Sequence, residues 1–335
     1  MDLNGKSILV TGGTGSFGKA FIQHVLKEYS TVKRLVVVSR DEQKHHEMMT
    51  YLSPKDYSAL EYRLGDVRDK DRMMELFRGI DIVVHAAAMK HVPASELNPM
   101  ECVKTNILGS QNVIDAAQHN QVKVVVALST DKASSPSNFY GASKLCLEKL
   151  FIHADSQKGD ADIRYSVVRY ANVFASKGSV IPLFLKLKDT GVLPVTHPDM
   201  TRFSITIDKA VELVYFAIKN GWGGEIILPI CPSYRLRDVA KAIAPDAELR
   251  ILGARPGEKM HETMFTEIDA PYTAQRDDYY IICPITGTAK WNREMYCMKT
   301  GATPVSDGMS YDSGKNDHWL SHSDIQSQLS SGLFA

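Results

Sequence analysis

A short apolar run that breaks into closely spaced glycines and restarts as a helix leaves a chain few folds to choose from. Residues 7–11 (SILVT) have the β-branched, apolar character of a buried strand. They lead into Gly12, Gly13, Thr14, Gly15, Ser16, Phe17 and Gly18, and a helical pattern follows to about Lys27. Gly13, Gly15 and Gly18 satisfy GxGxxG, and Gly12, Gly15 and Gly18 satisfy GxxGxxG. Either pattern alone is weak, but between an N-terminal strand and a helix it is a dinucleotide fingerprint. Glycines permit the tight turn, and the helix start offers unpaired N–H groups and a positive dipole end to a pyrophosphate. Gly12, Thr14, Gly15, Ser16, Phe17 and Gly18 are therefore assigned to cofactor binding.

Further strands are read at 35–38, 60–64, 80–84 and 122–128, separated by helical patterns. That alternation is the signature of an α/β fold with a doubly wound parallel sheet, the Rossmann arrangement. What stands at each strand end then matters, because ligands bind at the carboxyl edge of such sheets. The second strand ends Ser39, Arg40, Asp41, Glu42, Gln43, Lys44. Arg40 and Lys44 suit a 2′-phosphate and Ser39 can hydrogen-bond to it, which favours NADP. Asp41 keeps NAD open, since an acidic residue there can take the ribose hydroxyl. After the third strand, Asp66 can accept from an adenine amino group while Val67 packs on the ring. Ala86 and Ala87 let a cofactor lie against the backbone, and Lys90 can reach phosphate or sugar. Thr105 and Asn106 fall on the next helix, where Asn106 can orient the neighbouring backbone.

The run 122–128 is followed by Ser129, Thr130, Asp131 and Lys132, then a polar loop, then a helix opening near Tyr140. Tyr140 and Lys144 are four apart and share a helix face. Asp131, Lys132, Tyr140 and Lys144 are thus expected to converge on one small volume as the catalytic group.

Composition bounds the rest. The 335 residues are 44% hydrophobic, and 39 basic residues balance 39 acidic ones, so no global field attracts nucleic acid. Five cysteines without a CxxC pair argue against a disulfide framework or a zinc site, and no metal is expected. No apolar run approaches a membrane span and no leader pattern is evident, so a cytoplasmic protein is expected. From about 174 the alternation loosens among prolines. Residues 1–173 read as an NADP-binding domain and 174–335 as a smaller α/β substrate-binding domain. Strands are expected at 204–207, 225–228 and 279–283, with one from 204–228 returning to the main sheet, and a helix at 209–219. Residues 301–316 read as irregular.

TGGTGSFG, GDVRD at 65–69, HAAAMKHVP at 85–93 and the Tyr140–Lys144 pair resemble the extended short-chain dehydrogenase/reductase family. The Asp131–Lys132 pair resembles its UDP-N-acetylglucosamine 4,6-dehydratases. SRDEQK at 39–44, RYANV at 169–173, TRF at 201–203, RPGEKMHE at 255–262 and SYDSGKN at 310–316 resemble those that open pseudaminic acid synthesis. Ala171 stands where that pattern has glycine. The resemblance implies NADP that is regenerated each turnover, a UDP-sugar substrate and a homo-oligomer, dimer or hexamer. It implies Tyr140 as base at the 4-hydroxyl, Lys132 as base at C5 and Asp131 as acid at the 6-hydroxyl. It places Lys90, Asn172, Val173, Val195 and Thr196 near the sugar nucleotide, Arg202 and Arg255 on the diphosphate, and Glu258 on the uridine ribose. C5-inverting and C5-retaining dehydration, a UDP-sugar epimerase and a cofactor-sensing protein all stay open.

Overall fold

The computed structural model describes residues 2–176, 179–285 and 289–330. Residues 331–335, the end of the region assigned above to substrate binding, lie outside the described residues. Six parallel strands form the heart of the fold: β1 (Ser7–Thr11), β2 (Arg34–Ser39), β3 (Leu60–Leu64), β4 (Ile82–His85), β5 (Val124–Thr130) and β6 (Arg164–Tyr170). They lie in the order 3-2-1-4-5-6, the doubly wound order in which the sequence of strands reverses beside β1. Alternate side chains feed two cores. Ile8, Val10, Leu35 and Val37 pack on one face, and Leu9, Val36, Val38, Val83 and Val125 pack on the other. Burial on both faces explains why β1, β2, β4 and β5 are largely apolar runs rather than alternating ones, whereas β3, at the sheet edge, carries Glu61 and Arg63.

The sheet does not stop at β6. Ile226–Pro229 adds parallel to it, as expected for the strand near 225–228. Tyr279–Ile282, Thr273–Arg276 and Thr303–Pro304 then extend the sheet antiparallel. Above the carboxyl edge sits a smaller layer with its own core, including Phe184, Leu193, Val195, Met200 and Val239. Its strands are short: Asn172–Val173, Thr201–Ile205 and Ser233–Arg235 form one sheet, and Val192–Val195 pairs with Glu248–Ile251. Thr263–Phe265 pairs with Tyr311–Asp312, so part of the irregular 301–316 stretch is held as strand.

Several boundaries differ from the sequence expectation for local reasons. β5 runs on through Ser129 and Thr130, because both hydroxyls find buried partners: Ser129 donates to Glu148 at 2.6 Å and Thr130 to Asp131 at 2.8 Å. The strand expected at 204–207 is Thr201–Ile205. Thr206 leaves it to cap the next helix, accepting from the Lys209 amide at 3.2 Å, so that helix spans Ile207–Asn220. Thr105 and Asn106 sit in a π-helical turn, Val103–Leu108, rather than in a regular α-helix. Among the described residues no helix is long and apolar enough to cross a membrane.

Candidate active site

A cleft of about 690 Å³ runs along the carboxyl edge of the sheet, from the glycine loop to the residues after β5. The loop has the geometry its glycines suggest. Gly12 has φ +66°, and a Cβ there would lie 2.8 Å from the Ala87 Cα. A Cβ on Gly18 would sit 2.5 Å from the Gly13 backbone, so the helix could not approach the turn. That helix, α1 (Ser16–Glu28), has Gly15 at its N-cap and no side-chain cap. Its first-turn amides therefore have no intrahelical acceptor and face the cleft, free for an anion. Thr14, Gly15, Ser16 and Phe17 line the same wall.

At the far end of β2 the cleft is bounded by Ser39, Arg40, Asp41 and Lys44. Asp41 is committed locally. Its carboxylate caps the next helix by accepting from the Lys44 amide at 3.1 Å, and it pairs with the Lys44 ammonium at 3.2 Å. The Ser39 hydroxyl accepts from Thr14 at 3.0 Å and from the Asp41 amide at 3.2 Å. Asp66 lines the cleft with Val67, but Arg68 already donates to one of its oxygens at 2.9 and 2.6 Å. Ala86, Ala87, Lys90 and Thr105 complete this part of the lining. These residues fit a dinucleotide: a crowded glycine turn, open helix amides and a basic far end.

Asn106 lies behind the wall rather than in it. Its amide clasps the Met89 backbone, accepting at 2.8 Å and donating at 2.9 Å, and donates to Ser143 at 2.9 Å. It therefore ties the loop after β4 to the helix that carries Tyr140 and Lys144.

That helix spans Phe139–Gln157 and is capped by Asn138, which accepts from the Gly141 amide at 2.9 Å. Tyr140 and Lys144 both line the cleft, and Lys144 is nearly buried. Burial brings the Lys144 pKa down to about 8, against the pull of Glu148. Burial pushes the Tyr140 phenol up to about 12. The largest downward pull on Tyr140 comes from the Lys132 charge.

Lys132 reaches the cleft from a 3-10 turn, Asp131–Ala133. Its ammonium meets Asp131 Oδ1 at 3.0 Å, Asn172 Oδ1 at 3.1 Å and Glu262 Oε1 at 3.5 Å. Burial works against its charge, yet the two carboxylates together hold its pKa above the ordinary lysine value. Asp131 is fully buried behind Lys132, outside the cleft lining. Its Oδ1 accepts from Thr130 and Lys132, and its Oδ2 has no partner.

Lys90, Asn172 and Val173 line the cleft, and the other expected substrate residues, Val195, Thr196, Arg202, Arg255 and Glu258, do not. Val195 is buried in the small core as the strand partner of Ile251. Thr196 turns its hydroxyl to Met200. Arg202 is nearly buried, donating to the Thr201 carbonyl at 2.7 Å and pairing with Glu258 at 3.4 Å. Arg255 is exposed. Sequence reasoning passed over Glu262, although it stands inside the RPGEKMHE motif, and over Tyr170 and Ile207, apolar-looking positions that prove to line the cleft.

A 3-2-1-4-5-6 parallel sheet with a Tyr–Lys pair at its carboxyl edge defines the extended short-chain dehydrogenase/reductase class. The chain belongs to the family of polysaccharide biosynthesis proteins, whose model matches residues 8–284. It is 44% identical over 326 residues to a UDP-N-acetylglucosamine 4,6-dehydratase (inverting) from Campylobacter jejuni, covering 96% of each chain. It is 40% identical over 290 residues to a UDP-glucose 4-epimerase from Rickettsia conorii, covering 84% of each. Among solved structures it resembles Pen from Bacillus thuringiensis, with a TM-score of 0.89, 33% identity and 100% of both chains covered.

Proposed function

We propose that this chain is a UDP-N-acetylglucosamine 4,6-dehydratase that inverts C5, uses NADP and serves the first step of pseudaminic acid-type sugar synthesis. The observation that carries this reading is Lys132, held in the cleft between two carboxylates within the same wall as Tyr140 and Lys144. Hydride transfer alone needs the Tyr–Lys pair. An amine base beside a buried carboxyl group is what removal of a C5 proton and departure of a 6-hydroxyl require. The 44% identity to the Campylobacter dehydratase over nearly the full chain supports the same reading.

When bound, the nicotinamide would take hydride from C4 and return it at C6. The chain supplies the proton transfers. Tyr140 takes the 4-hydroxyl proton; burial raises its phenol in the free protein, the Lys132 charge pulls it down, and the family resemblance implies that Lys144 and a bound nicotinamide ring would add to that pull. Neutral Lys132 removes the C5 proton, made acidic by the new 4-ketone. Protonated Asp131 gives its proton to the 6-hydroxyl, which leaves as water. Return of a proton by Lys132 to the opposite face of C5 would invert that centre. Arg202, Arg255 and Glu258 are assigned to the nucleotide portion, with Val195 and Thr196 beside the sugar. The working enzyme is read as a dimer or hexamer in the cytoplasm.

NADP is preferred because Asp41 is spent on capping and on Lys44, while Arg40 remains at the cleft edge. Arg40→Ala is expected to weaken NADP binding about tenfold, the loss of one charge-assisted contact, and to leave NAD almost unchanged. Equal effects in a fluorescence titration would remove the basis for NADP. The function itself is tested by incubation with UDP-N-acetylglucosamine. Loss of one water per sugar and a C5 coupling pattern of the inverted product are expected. Conversion at unchanged mass would identify an epimerase, the activity the Rickettsia relative is named for.

A further inference from the structure

Two proton tasks meet at Lys132, and the chain places two carboxylates on it. In the elimination step the Lys132 amine takes the C5 proton, the C5–H electron pair becomes the C5–C6 double bond, the C6–O bond breaks, and Asp131 gives its proton to the departing oxygen. Before that step Asp131 must be protonated and is no counter-ion. Among the described residues, the carboxylate then left within ion-pair distance of Lys132 is Glu262. We propose that Glu262 is a positioning residue for Lys132, aiming its amine into the cleft and balancing the charge it gains as it removes the C5 proton. The inference rests on the dehydratase reading and deepens it.

Glu262 is built for such a role. Its side chain is only 4% exposed, and its Oε1 lies 3.5 Å from the Lys132 ammonium and 3.7 Å from Arg202 Nε. Its Oε2 is buried without a partner. Its backbone is fixed from both sides by Ser313: the Glu262 amide donates to the Ser313 hydroxyl at 2.8 Å, and the Ser313 amide donates to the Glu262 carbonyl at 2.8 Å. A carboxylate held this way and aimed at a basic side chain acts as the buried aspartate of a Ser-His-Asp triad acts on its histidine. The charged groups that face it are Lys132, Asp131, Arg202 and Lys259.

The test is Glu262→Gln, which keeps size and polarity and removes the charge. With UDP-N-acetylglucosamine, kcat for water loss is expected to fall about 100-fold, within the range for a proton transfer that loses its support, with KM unchanged. In the oxidation at C4 Lys132 takes no proton, and its cation still faces Tyr140 in this variant, so that step should persist and a 4-ketone still bearing its 6-hydroxyl should accumulate in quenched samples. The residual kcat should report a Lys132 deprotonation at lower pH than in the parent, because removing an anion destabilises the ammonium form. Glu262→Asp, which keeps the charge, should recover part of kcat. Parent-like kcat and pH profile in Glu262→Gln would overturn the inference. So would loss of C4 oxidation together with dehydration in both variants, which would make Glu262 a support of the fold. If the unaltered protein removes no water from this substrate, the dehydratase reading itself falls.

Discussion

Replacing Lys132 by alanine is expected to abolish water loss from UDP-N-acetylglucosamine, a fall on the order of 10⁴-fold, while NADP still binds. The magnitude follows from removing the amine assigned to C5, since positioned acid–base catalysis contributes about 10² to 10⁴. The selectivity follows from placement. Lys132 stands at the Asp131–Ala133 turn with Asp131, Asn172 and Glu262 around it, whereas the dinucleotide cradle is built from the β1–α1 turn and the end of β2. Mass spectrometry of the sugar nucleotide reads the first effect, and cofactor titration reads the second. Retained dehydration would reduce Lys132 to an ion-pair partner. Lost NADP binding would mean that its role lies with the cofactor.

The second large effect is expected at a residue with no chemistry of its own. Gly141 sits in the first turn of the Tyr140 helix, directly against the Lys132 turn. A methyl group there would lie 3.0 Å from the Lys132 carbonyl carbon, closer still to its oxygen, and 3.2 Å from Pro136 Cβ. Alanine in a helix is favoured over glycine by about 1 kcal/mol. Overpacking costs about 1–3 kcal/mol, and the atoms in the way are mainly backbone, which cannot rotate aside. The cost should therefore win. Gly141→Ala should lower the unfolding midpoint and reduce kcat by about 100-fold or more, since a shift of about 1 Å between reacting groups costs that much. Thermal unfolding and turnover measured on one preparation check both. Parent-like values in each would show that the helix and turn are not held in register here.

These two residues also mark what the sequence could and could not reveal. Four of the six parallel strands were readable because each is buried on both faces and so is written as a largely apolar run, Ile8–Val10 or Leu35–Val38 among them; Leu60–Leu64 was read from its place in the alternation, and Arg164–Tyr170, with charged and polar residues among its valines, was not read as a strand. The glycine loop was readable because its spacing, strand and helix are all local. Tyr140 and Lys144 were readable from helix periodicity. Glu262 was not. Its place beside Lys132 depends on Ser313, some fifty residues onward, and on the pairing of Thr263–Phe265 with Tyr311–Asp312. No local pattern encodes such a contact. The same holds for Asp131, which polarity alone would place at the surface of the strand edge. It is buried because Thr130 and Lys132 satisfy one of its oxygens. Arg202 was expected on the diphosphate, yet Glu258, the Thr201 carbonyl and Glu262 already hold it.

The return of Ile226–Pro229 to β6 has a consequence for how this protein is made. Synthesis delivers the six parallel strands first, and their last member then waits with one row of backbone N–H and C=O groups unpaired. The partner for that row emerges only after a further fifty-odd residues have left the ribosome. An open strand edge of buried, β-branched character is a template for joining another chain. The half-made protein is therefore expected to be its most aggregation-prone form. A chain cut at residue 173 should precipitate rather than yield a soluble nucleotide-binding unit.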